Sequence, residues 1–140
     1  MTRLLSGLII GLMLAVMAGE PAMAQSGSSF IKEGVINDIP YLSGGVGWEE
    51  RVTISRMAKG YNLKLTFATS AGAYLSNLMV GIRDRRGKLL LEMESNGPWF
   101  LAKLPKGRYR ITTAFGDQKK VHRVKVSKDL SKIIFNWRPE

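Results

Sequence analysis

Few side chains in this sequence could perform acid–base chemistry, and they lie far apart along the chain. Two close carboxylate pairs occur, Glu49 with Glu50 and Glu92 with Glu94. Two acidic residues at positions i and i+2 of a strand lie about 7 Å apart on one face, a separation that some glycosidases use. Any strand with this spacing gives the same distance. We therefore interpret Glu92 and Glu94 as a solvated strand face, and Glu49 and Glu50 as the start of a helix.

Metal and nucleophile chemistry is poorly supported as well. The sequence contains one histidine, His122, and no cysteine, so a zinc site would need carboxylates for its other ligands. No serine stands in the Gly-x-Ser-x-Gly turn of a hydrolase nucleophile. His122 shares its strand parity with Val124 and Val126, which favours a place at the rim of the core over proton transfer. We predict a protein without catalytic residues, metal or other cofactor.

The basic residues are the most informative set. The chain has 21 Lys and Arg against 11 Asp and Glu, a formal net charge of +10. Strand alternation predicts that several cations share an outer sheet face, where like charges directly opposed across strands are destabilising. Such a face either keeps the protein soluble or binds a polyanion. The predicted polyanion-binding residues are Lys64, Arg108, Arg110, Arg123 and Lys125. A second basic cluster surrounds a predicted turn, and we interpret it as solvated: Arg83, Arg85, Arg86 and Lys88.

Residues 1–24 have the three parts of a secretory signal peptide. Arg3 gives the positive start, the uncharged run from Leu4 to Ala18 follows, and Ala22-Met23-Ala24 presents small residues before Gln25. A membrane anchor is the alternative, but spanning a bilayer takes about 20 apolar residues. We expect cleavage near Ala24-Gln25, a mature protein without a membrane span, and a periplasmic or secreted location. Export argues against nucleic acid as the partner and favours anionic envelope components or acidic proteins.

The rest of the chain indicates one all-β domain after a short helix. Glu49 to Lys59 predicts the helix, although its Val52-Thr53-Ile54 centre also suits a strand. From Tyr61 the hydrophobic period changes to two, and turns rich in Gly, Pro, Asn and Asp separate the apolar runs, a pattern typical of a β-sandwich. The seven predicted strands are Tyr61–Phe67, Leu78–Ile82, Leu89–Met93, Trp99–Lys103, Tyr109–Phe115, His122–Val126 and Ile133–Trp137.

Residues 25–47 are predicted to form a flexible N-terminal extension to a domain that covers 48–140. The Gly-rich run Ser43 to Gly47 does not fit a phosphate-binding loop, because Trp48-Glu49-Glu50 follows it where such a loop has Lys and Ser or Thr. Tyr41 and Trp48 have no obvious packing partner in this segment. They either cover a sheet edge or contact a partner, and we name both as candidate partner-contact residues.

The stretch from Tyr61 to Val126 resembles the carboxypeptidase regulatory-like, or transthyretin-like, domain. The matching elements are Val80 to Asp84 with Gly87, the strand Leu89 to Met93, Trp99-Phe100, and the run Leu104-Pro105-Lys106-Gly107-Arg108-Tyr109. The resemblance implies a seven-stranded prealbumin-like or Ig-like β-sandwich without catalytic residues of its own. Such modules serve as accessory, adhesive or carbohydrate-contacting domains.

Two functions follow as expectations. The first is a non-catalytic exported binding module whose basic sheet face contacts an anionic envelope component or an acidic protein. The second is a structural or accessory subunit that binds a protein partner by edge-strand pairing. Strongly salt-dependent binding would favour the first.

Overall fold

The structure is a computed structural model that describes residues 30–138. The predicted signal peptide and residues 25–29 of the predicted extension lie outside this range, as do residues 139 and 140. Within it the chain forms an α-helix, a 3₁₀ turn and nine strands. In chain order these are β1 (Lys32–Ile36), β2 (Ile39–Gly44), α1 (Trp48–Met57), the 3₁₀ turn (Ala58–Gly60), β3 (Leu63–Thr69), β4 (Leu78–Asp84), β5 (Leu89–Ser95), β6 (Trp99–Ala102), β7 (Gly107–Phe115), β8 (Gln118–Val126) and β9 (Ser131–Trp137).

The strands form two sheets, as in a β-sandwich. One sheet has five strands in the order β1-β2-β6-β3-β9, and the other has four in the order β5-β4-β7-β8. All neighbouring strands are antiparallel except β3 and β9, which pair in parallel. The predicted β-sandwich with one short helix is confirmed. The predicted number of seven strands is wrong, because β3 to β9 correspond to the seven and two more precede the helix.

The two additional strands correct the interpretation of residues 25–47 as a flexible extension. β1 and β2 form a hairpin whose two-residue loop, Asn37-Asp38, has φ of 49° and 63°. Positive φ at both loop positions marks the type I′ turn that matches the twist of paired strands. Leu42 and Ser43 on β2 are fully buried, so this hairpin is part of the five-stranded sheet.

The main core lies between the two sheets and follows the alternation of each strand. On β7, Tyr109, Ile111 and Thr113 are buried while the residues between them face solvent. Opposite them, β3 buries Leu63, Leu65 and Phe67 against the inward side chains of β9. Because the side-chain period is two, a one-residue slip of β7 would expose this whole set, and its register is therefore strongly fixed.

A smaller core joins α1 to the outer face of the five-stranded sheet. Ile54 of the helix is fully buried against Leu42 and Leu101. The helix carries Glu49 and Glu50 in its first turn and Arg56 in its last, which suits the helix dipole. The helix interpretation of this segment is confirmed and the strand alternative is wrong. Neither helical segment among residues 30–138 is long and apolar enough to cross a membrane.

The run Leu104 to Tyr109 closes the turn before β7 with a side-chain hydrogen bond. The Tyr109 hydroxyl donates to the carbonyl oxygen of Pro105 at 2.6 Å. Burial, and secondarily the carboxylate of Asp84, raise the pKa of Tyr109. The folded protein therefore keeps the neutral phenol, which can donate, at pH values where the unfolded chain ionises.

The Tyr109→Phe substitution tests this bond. We expect the free energy of unfolding at pH 7 to fall by about 1 kcal/mol, the net value of a typical hydrogen bond. Because the folded pKa is raised, the contribution is complete below the ordinary value of 10.0. It is then lost as the pH rises through the folded pKa, so wild type and variant should converge at high pH. Urea unfolding from pH 7 to 11 measures this, with the exposed Tyr74→Phe as control. A constant difference across that range would contradict the assignment.

Candidate anion-binding site

Four of the five predicted polyanion-binding residues meet on the outer face of the four-stranded sheet. Arg108 and Arg110 alternate with buried residues on β7, and Arg123 and Lys125 lie outward on β8. The register of the hairpin places Arg108 opposite Lys125 and Arg110 opposite Arg123. The four residues are exposed. The side chains of two cation pairs therefore start from directly facing positions, where Cβ atoms lie about 4.5–5.5 Å apart.

A fifth cation extends this arrangement across a third strand. Arg83 on β4 is the direct partner of Arg110 on β7, so Arg83, Arg110 and Arg123 form one row across three strands. The guanidinium of Arg83 donates to the carbonyl oxygen of Gly87 at 3.1 Å, which keeps that side chain against the β4–β5 turn. The row leaves Arg110 between two other cations.

The β4–β5 turn places a further basic residue, Arg85, beside the cations of β7 and β8. Asp84 begins the turn, and its Oδ1 accepts hydrogen bonds of 2.9 Å from the backbone N–H groups of Arg86 and Lys88. Gly87 has a φ of 87°, a conformation that other residues rarely adopt. The turn thus engages the carboxylate of Asp84 with backbone donors and leaves Arg85 exposed.

The four β7 and β8 cations, with Asp84 and Arg85 of the turn, line an open cleft of about 540 Å³, which we call the cationic cleft. One carboxylate, that of Asp84, lines it together with five basic side chains. Guanidinium groups present forked N–H donors that match two oxygens of a phosphate or carboxylate. The cleft can therefore hold a multiply charged anion. Its lining residues are Asp84, Arg85, Arg108, Tyr109, Arg110, Arg123, Val124 and Lys125.

Lys64, the remaining predicted polyanion contact, lies on the other sheet, so its predicted grouping with the four cations is wrong. It is on β3 of the five-stranded sheet, and its ammonium lies 3.4 Å from the ring centroid of Trp99. The parallel register places it beside Lys132 on β9. Partial burial, and secondarily Lys132, lower the pKa of Lys64. Alternation had placed Lys64 correctly on an outer face, but that face belongs to the other sheet.

The two predicted partner-contact residues differ in burial. Tyr41 is 7% exposed, and its ring stacks on Phe100 with centroids 6.2 Å apart and 3° between the planes. It belongs to the main core, so its assignment as a surface contact is wrong. Trp48 begins the helix and is 70% exposed. It is placed where a partner could reach it.

The other residues considered for chemistry stay apart from the cleft. Glu92 and Glu94 are exposed on the outer face of β5, separated from β7 by the intervening strand β4. His122 lies on β8, and its ring makes a T-shaped contact with Phe135, at 6.2 Å between centroids. No group of three His, Asp or Glu side chains between residues 30 and 138 is arranged to hold a metal ion.

The contribution of Arg83 and Arg85 was missed at the sequence level. The pattern predicts β4 and β7 separately, but not that they are neighbours in the sheet. The pairing of β4 with β7 merges two basic clusters that are distant in sequence. A signal was present in the side-chain parity of Arg83, which alternates with the buried Val80 and Ile82 in the same way as Arg110 alternates with Tyr109 and Ile111.

Replacing the two β7 cations should stabilise the fold. Arg108→Glu with Arg110→Glu puts carboxylates opposite Lys125 and Arg123, which converts repulsive pairs into attractive ones. Since cross-strand charge pairs contribute about 0.2–1 kcal/mol each, we expect an increase of about 0.5–2 kcal/mol in the free energy of unfolding at low salt. The increase should shrink as salt screens exposed charges.

Urea unfolding of this double variant needs a control with the same change in net charge. Lys59→Glu with Lys103→Glu serves, because both positions are exposed and neither lines the cationic cleft. Equal stability of the two double variants would show that the facing cations do not repel one another measurably.

Lys64→Met tests the cost of the lysine charge on β3. A lowered folded pKa means that the charged form is disfavoured, so the penalty is complete below the folded pKa and disappears as the pH rises toward 10.5. The free energy of unfolding of Lys64→Met relative to wild type should therefore be most favourable at neutral pH and become less favourable by pH 10.5, with the lost contact to Trp99 acting in the opposite direction. Lys132→Met, which removes only the neighbouring charge, should give a smaller advantage. An advantage that grows with pH would contradict this account.

Comparisons with known proteins leave the family of this chain open. No protein-family model matches it, and no curated protein matches it. Among solved structures it is similar to part of one titled "The Bacillus anthracis TIE protein", from Bacillus anthracis, with 15% sequence identity and a TM-score of 0.44. The match covers 54% of this chain and 16% of that chain, so the chain spans less than a fifth of that protein's length.

Proposed function

We propose that this protein is a non-catalytic, exported binding module that holds an anionic component of the cell envelope in the cationic cleft. The observation that carries the proposal is the direct opposition of Arg108 to Lys125 and of Arg110 to Arg123. Opposed like charges lower stability, and a solubilising surface gains nothing from placing them face to face. An anion bound between them would remove the repulsion.

The location and family parts of the proposal rest on the sequence. The leader 1–24 motivates export, after which phosphate-rich envelope molecules are the abundant polyanions. The resemblance of Tyr61–Val126 to the carboxypeptidase regulatory-like domain, with its prealbumin-like or Ig-like sandwich, supports a binding role without catalysis. The field of a chain with net charge +10 would also speed association with such partners.

The test is binding of the purified protein to lipopolysaccharide and to phosphatidylglycerol vesicles over a series of salt concentrations. We expect binding that weakens steeply with salt. We also expect it to be lost in a variant with Arg108, Arg110, Arg123 and Lys125 all changed to Glu. This quadruple variant keeps like charges facing each other, so its fold should be little affected, and circular dichroism checks that.

A matched control separates the cleft from net charge. Lys32, Lys59, Lys103 and Lys132 are exposed and none lines the cleft, so changing these four to Glu alters the net charge by the same amount. The control variant should keep most of the binding. Equal loss in both quadruple variants, or no binding by wild type, would overturn the proposal.

Binding of a protein partner by edge-strand pairing is the second candidate. β1 is an edge strand of the five-stranded sheet. Val35 on β1 is 65% exposed, and Trp48 at the start of α1 is 70% exposed. The edge strand β8 carries several lysines and arginines, which discourage pairing. Deletion of residues 30–48 is not a usable test, because it removes the buried strand β2. Partner binding that is insensitive to salt and lost in Trp48→Ala would favour this candidate.

A further inference from the structure

The outer face of the four-stranded sheet changes character along its strands. The outer face of an antiparallel sheet ordinarily carries polar residues, and the row Arg83-Arg110-Arg123 follows this rule. The next row, two residues further along, has Gly81 on β4, Thr112 on β7 and Val121 on β8, with the charged Glu92 at its β5 end. The row after that has Met79 opposite Ala114 at its centre, with Glu94 on β5 and Lys119 on β8 at its two ends.

The apolar part of this face is concave and exposed. A groove of about 270 Å³ runs over Gly81, which has no side chain to fill it. Met79 and Leu89 form apolar parts of its walls and are 42% and 38% exposed. Val121, beside Thr112, is 59% exposed. Thr112 and Ala114 complete the floor, and Glu92 and Lys119 lie at its sides.

The groove and the cationic cleft adjoin each other. Arg83 lines the groove and is the cross-strand partner of Arg110, which lines the cleft. Thr112 in the groove and Arg110 in the cleft face the same side of β7, two residues and therefore about 7 Å apart. A molecule of modest length could occupy both sites at once.

We propose that this face binds an amphiphile with a phosphate headgroup, the phosphate in the cationic cleft and a hydrocarbon chain in the groove over Gly81. The inference deepens the proposed function by naming the ligand class. Five basic residues against one carboxylate in the cleft suit a phosphate monoester, which carries a charge of about −1.5 to −2 near neutral pH. The cleft and groove have volumes of the order found in small-molecule sites, whereas a flat protein partner would leave the groove unfilled.

Gly81 offers a specific way to fill the groove. A Cβ added there would lie 3.8 Å from the Thr112 Cβ and 3.9 Å from the Thr112 carbonyl oxygen, which is ordinary van der Waals contact. Gly81→Leu should therefore fold and occupy the space that we assign to the hydrocarbon chain. Gly60→Leu is the matched control, since a Cβ at Gly60 meets nothing within 4 Å and Gly60 lies in the 3₁₀ turn beyond the helix.

The experiment is isothermal titration calorimetry of the protein with butyl, hexyl and octyl phosphate, each below its micellar concentration. We expect the Kd of wild type to fall about two- to fourfold for each added methylene, according to how completely the chain is buried. Gly81→Leu should lose this dependence on chain length and keep the Kd for butyl phosphate within about twofold. Gly60→Leu should behave as wild type, and octyl glucoside, which lacks the charge, should bind much more weakly than octyl phosphate.

Other outcomes separate this inference from the proposed function. Equal affinity of wild type for butyl and octyl phosphate would overturn the groove assignment and leave an anion-binding cleft. Binding to phosphatidylglycerol vesicles but to no alkyl phosphate would also overturn it, in favour of docking on a membrane surface. Binding of an acidic peptide but of no alkyl phosphate would overturn it in favour of a protein partner. Absence of all anion binding would remove the proposed function as well.

Discussion

Burial of alternate side chains on β7 determines which residues lie on the outer face of the four-stranded sheet. Ile111 and Thr113 are fully buried and fix which residues of the strand face solvent. The side chains of Arg108 and Arg110 must therefore face solvent. The hairpin register brings them against Lys125 and Arg123, so the core that stabilises the sandwich also enforces the repulsion on its surface. A slip that relieved the repulsion would cost the apolar contacts of the whole strand, a far larger loss.

Strand alternation was enough to predict β3 to β9 and the outward direction of the basic residues. It could not predict which strands are neighbours, because that depends on long-range pairing. Lys64 was therefore grouped with cations of the other sheet, and Arg83 was left out. The hairpin of β1 and β2 was missed because Pro40 and the following glycines read as a loop. Its signal was Asn37-Asp38, two residues that tolerate positive φ. For the same reason the sequence offers no packing partner for Tyr41, which leaves both a sheet-edge position and a partner contact open.

The outer face of the four-stranded sheet combines three environments over a short distance. Cations dominate one end, apolar side chains and Gly81 occupy the middle, and Glu92 and Glu94 line the β5 edge. Under the proposed function this arrangement would orient a bound molecule as well as hold it. An anion near the β5 edge would meet the carboxylates of Glu92 and Glu94, whereas the row Arg83-Arg110-Arg123 would favour it.

The parallel pairing of β3 with β9 has a consequence for how the chain folds. Residues 63–69 pair with residues 131–137, so the five-stranded sheet cannot be completed until residue 137 is present. Contacts between residues so distant in sequence slow folding, typically to milliseconds or seconds for all-β domains. During synthesis, β3 must wait for its last partner with one edge unpaired. The sandwich therefore stays incompletely folded until β9 emerges.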